Sequence, residues 1–315
     1  MNELLKLERT KKYFPVKGNR FLKAVDDVSF SVAAGGVFGL VGESGCGKST
    51  LARLILGLME PTGGEIFFDG MNVITATRHE LSRIRRGLQI IFQDPLASLN
   101  PRKRIQDAVG ESLLINDVVK RREIRDHVAH LLGKVGMDED ALGRYPHEFS
   151  GGQRQRICIA RALAVNPKMI VADEAISSLD VSIQAQILNL LEDLRRDNGL
   201  AYVFISHNLL TVEHFSDTVA VMYLGKIVEM SATEELFNDP LHPYTEALLS
   251  AVPKPDVGKK GKRIILEGDV PSPVHIPPGC PFHTRCPKRF EPCDKEVPVY
   301  KEVKNQRWVS CHLWV

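Results

Sequence analysis

The amino-acid sequence predicts an α/β protein built on a largely parallel sheet covered by helices. Short apolar runs at residues 37–41 (VFGLV), 88–92 (LQIIF), 169–172 (MIVA), 201–205 (AYVFI) and 218–224 (TVAVMYL) alternate with helix-periodic segments such as 183–195. That order favours parallel strands joined by helical crossovers. The first of these runs ends in a glycine-rich turn that opens an apolar-periodic helix from Ser49 to Leu58. The run at 169–172 ends in two carboxylates, Asp173 and Glu174, placed at the carboxyl end of a buried strand, where open α/β sheets bind ligands.

From the amino terminus, residues 25–32 (VDDVSFSV) read as a strand ahead of 37–41, and 65–68 (EIFF) as another. Between Gln93 and Phe149 the pattern is mainly helical, best at 105–115 and 121–135, which reads as an inserted α-helical subdomain at about residues 94–150. After Val252 the composition shifts to PKPDVGKKGK, a linker signal, and the rest is rich in Pro and Cys with little periodicity. The expected domains are therefore residues 1–252 and a small C-terminal module at 253–315.

With 315 residues, 43% hydrophobic and 25% charged, the chain has the composition of a globular protein with a sizeable core. Basic and acidic side chains number 41 and 39, so no affinity for nucleic acid follows from charge. Nowhere do 18 apolar residues run together, and the first residues, MNELLKLERTKKYF, lack a signal-peptide core, so the expectation is a cytosolic chain that does not span a membrane.

Gly42-Glu43-Ser44-Gly45-Cys46-Gly47-Lys48-Ser49 fits G-x-x-x-x-G-K-[ST]. The glycines, with Ser44, Gly45 and Cys46 between them, let main-chain amides and a helix amino terminus face phosphate. Lys48 would hold the outer phosphates, the Ser49 hydroxyl would ligate Mg²⁺, and Thr50 continues the helix start. Cys46 reads as a small loop residue, since nothing else in the chain calls for a catalytic thiol. Asp173 would support Mg²⁺ and its waters, and Glu174 would orient and activate the attacking water. An isolated Asp-Glu pair would be read as a solvated loop.

Phe149-Ser150-Gly151-Gly152-Gln153 changes that reading, because it resembles the LSGGQ signature of the ATP-binding cassette (ABC) ATPases, with Phe for Leu at the first position. In physical terms Ser150, Gly151, Gly152 and Gln153 open a helix at 153–165 and make a second anion-seeking surface. The resemblance implies a P-loop NTPase core of ABC type, with a small antiparallel β subdomain beside the helical one. It also implies a dimer in which each ATP lies between one subunit's phosphate loop and the other's signature helix. By the same resemblance Gln93 is the Q-loop glutamine and a Mg²⁺ ligand, Ser178-Leu179-Asp180 the D-loop and His207 the switch histidine. Taken singly, each has a plain structural reading: strand-end amide, helix cap and loop histidine. Phe14 or Tyr13 is the candidate to stack on adenine, and packing within the first strand is an equal reading of both.

Gln93-Asp94-Pro95-Leu96-Ala97-Ser98-Leu99-Asn100-Pro101-Arg102, Asp180-Val181-Ser182-Ile183-Gln184-Ala185-Gln186 and Pro240-Leu241-His242-Pro243-Tyr244-Thr245 resemble bacterial oligopeptide and dipeptide importers. Leu96, Ala175 and Asn208 depart from the commoner Tyr, Pro and Asp, and none of these removes a reacting group. The resemblance implies a second cassette subunit, often a different chain, two transmembrane permease subunits and an extracytoplasmic binding protein. It implies a peripheral location on the cytoplasmic face of the inner membrane and peptide cargo, with nickel complexes, glutathione or sugars as alternatives. A soluble non-transport cassette is the rival class; tandem cassettes, coiled-coil insertions or basic arms would mark it. A third possibility, a regulatory cassette that binds ATP without hydrolysing it, is opposed by Glu174 and His207.

Cys280, Cys286, Cys293 and Cys311 follow a C-x5-C-x6-C-x17-C spacing, with Pro281 and Pro287 after the first two. A reducing cytosol disfavours disulfides, and the spacing is looser than the pairs that structural zinc prefers. Four thiolates suit an iron-sulfur cluster, and some peptide-importer cassettes carry a [4Fe-4S] cluster in this tail, so the expectation is that cluster, with zinc as the alternative. His283 and His312 are substitute ligands. The plain role is a staple for a tail with little core of its own.

Overall fold

The computed structural model describes residues 3–177, 179–252 and 264–314. Ser178, in the expected D-loop, and the expected linker at 253–262 lie outside the described residues. In chain order the strands are β1 (Glu3–Val16), β2 (Arg20–Ala33), β3 (Val37–Val41), β4 (Gly63–Phe68), β5 (Met71–Asn72), β6 (Leu88–Ile91), β7 (Met169–Asp173), β8 (Ala201–Ile205), β9 (Thr218–Tyr223), β10 (Lys226–Ala232), β11 (Lys301–Lys304) and β12 (Arg307–Val309). The helices are α1 (Lys48–Ile55), α2 (Arg78–Gly87), α3 (Pro95–Ser98), α4 (Ile105–Ile115), α5 (Ile124–Lys134), α6 (Gly151–Leu163), α7 (Val181–Asn198), α8 (Leu209–Phe215), α9 (Thr233–Asn238) and α10 (Pro243–Ser250). Two compact units result: unit 1 is Met1–Leu5, Val32–Gly36 and Phe67–Ile205, and unit 2 is Lys6–Ser31, Val37–Ile66 and Ser206–Val315.

Unit 1 is organised by β6, β7 and β8, which run parallel with Ile90 opposite Val171 and Val171 opposite Val203. Their unbroken apolar runs, LQII, MIVA and AYVFI, are what strands buried on both faces require. α7 lays Ile187, Leu188, Leu191 and Leu194 inward at helical spacing. α4 and α5 pack on one another and on α6, burying Val109, Leu113, Val128 and Leu132. At the end of β4, Phe67 and Phe68 pair antiparallel with β5.

In unit 2, β3 runs parallel to β9, with Leu40 opposite Ala220. β9 then turns back through Leu224 and Gly225, both at positive φ, into antiparallel β10. A two-residue turn of that shape matches strand twist and forces a hairpin where a parallel continuation needs a crossover. β12 pairs antiparallel with β10 and β11 with β12, so the largely parallel expectation is corrected to a mixed one. β2, β1 and β4 are neighbours in a second sheet.

The tail has more core than its composition promised. Phe282 is 1% exposed, its ring centroid 5.3 Å from both Tyr223 and Tyr244 and 5.6 Å from His242. Among the described residues no helix is long and apolar enough to cross a membrane.

Candidate active site

The phosphate loop belongs to unit 2. Five buried residues of β3 deliver the chain into it, and α1 leaves it one residue earlier than the sequence suggested, at Lys48, ending at Ile55. Gly42 has φ 153° and Gly47 has φ 115°. A Cβ at Gly42 would stand 2.2 Å from the Met222 carbonyl oxygen, and one at Gly47 2.0 Å from that of Ala24. Main chain cannot retreat as a side chain can, so both positions require glycine on steric grounds as well as conformational ones. Lys48 is 4% exposed, and its Nζ donates to the carbonyls of Gly42 at 2.7 Å and Glu43 at 3.1 Å. A buried ammonium inside a ring of main chain is the charge that draws phosphate onto the amides. Ser44, Gly45 and Ser49 are exposed and Thr50 is half-buried. Cys46 is buried, and burial pushes its thiol up despite the nearby Lys48 ammonium, which agrees with a packing residue.

Upstream in the same unit, the Tyr13 hydroxyl donates to the Asp26 carboxylate, which also pairs with Lys226 at 3.0 Å. The Lys23 ammonium lies 5.4 Å from the Tyr13 ring centroid, and that of Lys12 lies 5.3 Å from Phe14. His207 is exposed directly after buried Ser206. Asn208 caps α8, its Oδ1 accepting from the Leu210 amide at 3.1 Å; the isosteric amide keeps the capping that Asp would provide.

Unit 1 carries the carboxylates. β7 ends at Asp173, and Glu174 turns off the strand at φ 50°, a left-handed conformation uncommon outside glycine. The turn is fixed from both sides: the Glu174 amide donates to the Ile205 carbonyl at 3.0 Å, and its own carbonyl accepts from Ser177 Oγ at 2.9 Å. Gln93 follows β6, whose Ile91 pairs with Ala172, so it reaches the same strand edge; its Nε2 donates to Glu174 Oε2 at 3.1 Å.

The Ser-Gly-Gly-Gln segment starts α6, here two residues earlier than expected. Ser150 Oγ accepts from the Gln153 amide at 3.3 Å, and Gln153 Oε1 accepts from the Ser150 amide at 3.0 Å, a reciprocal capping box. A Cβ at Gly152 would meet Ile183 Cγ2 at 2.7 Å and one at Gly151 would meet Leu179 Cδ2 at 3.4 Å, so small residues let α6 approach the start of α7. Asp180 is the N-cap residue of α7 with no side-chain cap bond.

In the tail, Cys280, Cys286, Cys293 and Cys311 are all free thiols, and with His283 and His312 they line one cavity of about 10 Å³, room for a single water. Burial pushes the Cys280 thiol up to about 12, with the neighbouring sulfurs adding to it, and Cys311 up to about 11. Among the described residues no three His, Cys, Asp or Glu side chains stand in a metal-holding arrangement.

One loop residue escaped the sequence reading. Glu43 receives Arg285 Nη1 at 2.8 Å and Nη2 at 3.0 Å, and its amide donates to Tyr244 Oη at 3.0 Å. The sole sequence signal was an arginine between the first two tail cysteines.

Comparison with known proteins agrees with this geometry. The ABC transporter family model matches residues 25–177, and the model of the oligopeptide/dipeptide transporter C-terminal region matches residues 228–293. The chain is 48% identical to the oligopeptide transport ATP-binding protein AppF of Bacillus subtilis, covering 99% of this chain and 97% of that one. Its identity to the dipeptide transport ATP-binding protein DppF of Escherichia coli is 46%, over 98% of this chain and 93% of the other. Among solved structures, cbiO1 of Clostridium perfringens, part of the ABC transporter complex cbiONQ, matches with a TM-score of 0.67 at 28% identity, covering 76% of this chain and 92% of that chain. The ATP-binding cassette MJ0796, solved as a dimer in a post-hydrolysis state with ADP and Pi, matches with a TM-score of 0.65 at 28% identity, over 73% and 98% of the two chains. Identity near one half along almost the whole length exceeds what a shared fold demands, and it makes this chain a member of the ABC transporter ATP-binding proteins, in their oligopeptide and dipeptide group.

Proposed function

We propose that this ATP-hydrolysing subunit powers the import of di- or oligopeptides through a membrane ABC transporter. The observation that carries the reading is the phosphate loop, where two glycines that admit no Cβ and a buried Lys48 shape main chain for an anion. The naming of AppF and DppF for oligopeptide and dipeptide transport supports the cargo. Gly42, Ser44, Gly45, Cys46, Gly47, Lys48, Ser49 and Thr50 bind the phosphates, and Tyr13 or Phe14 stacks on adenine. Ser49, Gln93 and Asp173, which offer a hydroxyl, an amide and a carboxylate oxygen, would hold Mg²⁺. Glu174 orients and activates water, assisted by His207; its left-handed turn and its bond to Gln93 suit a carboxylate held at a set angle.

Ser150, Gly151, Gly152 and Gln153, with Asp180, serve the ATP of a partner cassette; the exposure of Ser150 and Gln153 and the dimeric MJ0796 cassette support this. The partners are a second ATPase subunit, two transmembrane permeases and, through them, an extracytoplasmic binding protein, at the cytoplasmic face of the inner membrane. Residues 1–252 form the ATPase domain, with the helical subdomain at about 94–150 docking the permeases, and 253–315 the C-terminal module.

For the tail, we propose a [4Fe-4S] cluster on Cys280, Cys286, Cys293 and Cys311. Four thiols outside any disulfide line one cavity, a donor set that suits a cationic group replacing their protons. The cavity must open to admit it. Brown anaerobic protein with iron and sulfide supports the cluster, and zinc without iron refutes it.

The transport reading is tested by reconstituting the complex with its binding protein in vesicles and measuring ATP hydrolysis. Stimulation by peptides is expected; stimulation by a nickel complex, glutathione or a sugar instead overturns the cargo.

A further inference from the structure

Glu43 is held at its side chain by Arg285 of the tail and at its main chain by Tyr244 of α10. The Arg285 guanidinium forks its carboxylate at 2.8 and 3.0 Å, with the Arg285 side chain 8% exposed and that of Glu43 26% exposed. Tyr244 Oη accepts from the Glu43 amide at 3.0 Å. A bidentate, largely desolvated guanidinium-carboxylate pair is among the stronger polar contacts a protein makes, and lysine cannot reproduce its fork.

The holding groups are themselves fixed. Tyr244 is buried, and Phe282 packs at 5.3 Å from both it and Tyr223. The Arg285 amide donates to the Phe282 carbonyl at 3.0 Å, and the Cys280 amide to the Cys293 carbonyl at 2.8 Å. On the loop side, Lys48 Nζ donates to the carbonyl of this same Glu43 at 3.1 Å. Displacing Glu43 therefore displaces an acceptor of the lysine at the centre of the phosphate loop.

We propose that Arg285 and Tyr244 are positioning residues that hold the phosphate loop in its anion-binding conformation through Glu43, so that α10 and the tail together set the affinity for nucleotide. The inference rests on the reading of Gly42–Ser49 as the MgATP loop. A loop released from this hold samples other conformations, and its apparent affinity falls by the fraction that remains competent. Arg285 touches neither water nor the reacting phosphate in this scheme, so KM carries the effect and kcat does not.

The test measures KM for ATP and kcat in the assembled transporter, with binding of a fluorescent MgATP analogue to the full chain. Arg285→Ala is expected to raise KM and the analogue Kd roughly tenfold, with kcat within about twofold. Arg285→Lys, which keeps charge without the fork, should fall between. Glu43→Ala combined with Arg285→Ala should be no worse than Glu43→Ala alone. Tyr244→Phe, which removes the acceptor and leaves the ring, should raise KM severalfold and gives a second reading if Arg285→Ala fails to fold. A fall in kcat at unchanged KM, additive single effects, or wild-type KM in both Arg285→Lys and Tyr244→Phe overturns the proposal. Failure of the wild-type chain itself to bind the analogue refutes the loop assignment instead.

Discussion

Gln93 Nε2 donates to Glu174 Oε2 at 3.1 Å, joining the residue that leaves β6 to the one that leaves β7. Parallel register makes the contact possible, because Ile91 opposite Ala172 carries both chains to the same sheet edge. The Glu174 backbone is pinned by Ile205 and Ser177, so the amide of Gln93 orients a carboxylate whose main chain is already set.

Glu174→Gln removes the base and keeps the shape. ATP binding should persist and a closed dimer accumulate, while turnover falls about 10²–10⁴-fold, the usual worth of a positioned general base. ATPase assays beside nucleotide binding check this; near wild-type turnover would remove Glu174 from the role.

Gln93→Ala removes both the orienting donor and the proposed Mg²⁺ contact. Freed of its donor, the carboxylate spreads over its rotamers, and kcat should fall roughly tenfold, with KM for ATP rising as the Mg²⁺ contact is lost. Gln93→Glu should be worse, because two carboxylates at this separation favour protonation of one of them. A pH profile whose acidic limb moves upward in Gln93→Glu but not in Gln93→Ala is the distinguishing measurement.

Glycines in the loop are not equivalent. Gly47→Ala would drive a methyl to 2.0 Å from the Ala24 carbonyl oxygen and should abolish nucleotide binding. Gly45 has φ 78° and nothing within 4 Å of a built Cβ. Gly45→Ala should therefore cost only about 1 kcal/mol of conformational strain and retain most of the affinity. Calorimetric titration of both variants decides it, and equal losses would contradict the steric argument.

These contrasts show what local sequence could convey. β7, β8 and the phosphate loop were readable because their signals are contiguous: apolar runs, spaced glycines, and carboxylates at a strand end. β1, ELLKLERTKKYFPV, was passed over because Lys and Arg interrupt its alternation along a half-exposed face. β10 was hidden behind the Leu224-Gly225 turn, which lacks the usual Asn or Asp, and β11 and β12 are short and polar. α2 did carry a signal, the Thr77 and Glu80 capping box, but its polar surface masked the period. The bond between Glu43 and Arg285 spans 242 residues, and no local pattern encodes a pairing of that separation.

His242 makes unit 2 acid-sensitive. It is 1% exposed, its Nδ1 accepts from the Tyr244 amide at 3.0 Å, and its own amide donates to Glu229 Oε2 at 2.8 Å. Burial holds the imidazole down to about 3, far below the ordinary 6.5 or so. The folded chain thus refuses a proton that the unfolded chain accepts, so stability is full above about pH 6.5 and declines as pH falls from there towards 3. Buried Glu229 works in the opposite sense: burial raises its carboxyl, so its contribution is full below the ordinary carboxyl range and is lost as pH rises through the raised value. The histidine by itself costs about 1.4 kcal/mol between about pH 7.5 and 5.5. His242→Gln offers the Tyr244 amide an acceptor that does not titrate and should lose most of that pH dependence, whatever its stability at neutral pH. Urea midpoints of both proteins at the two pH values measure the difference, and parallel declines would place the acid sensitivity elsewhere.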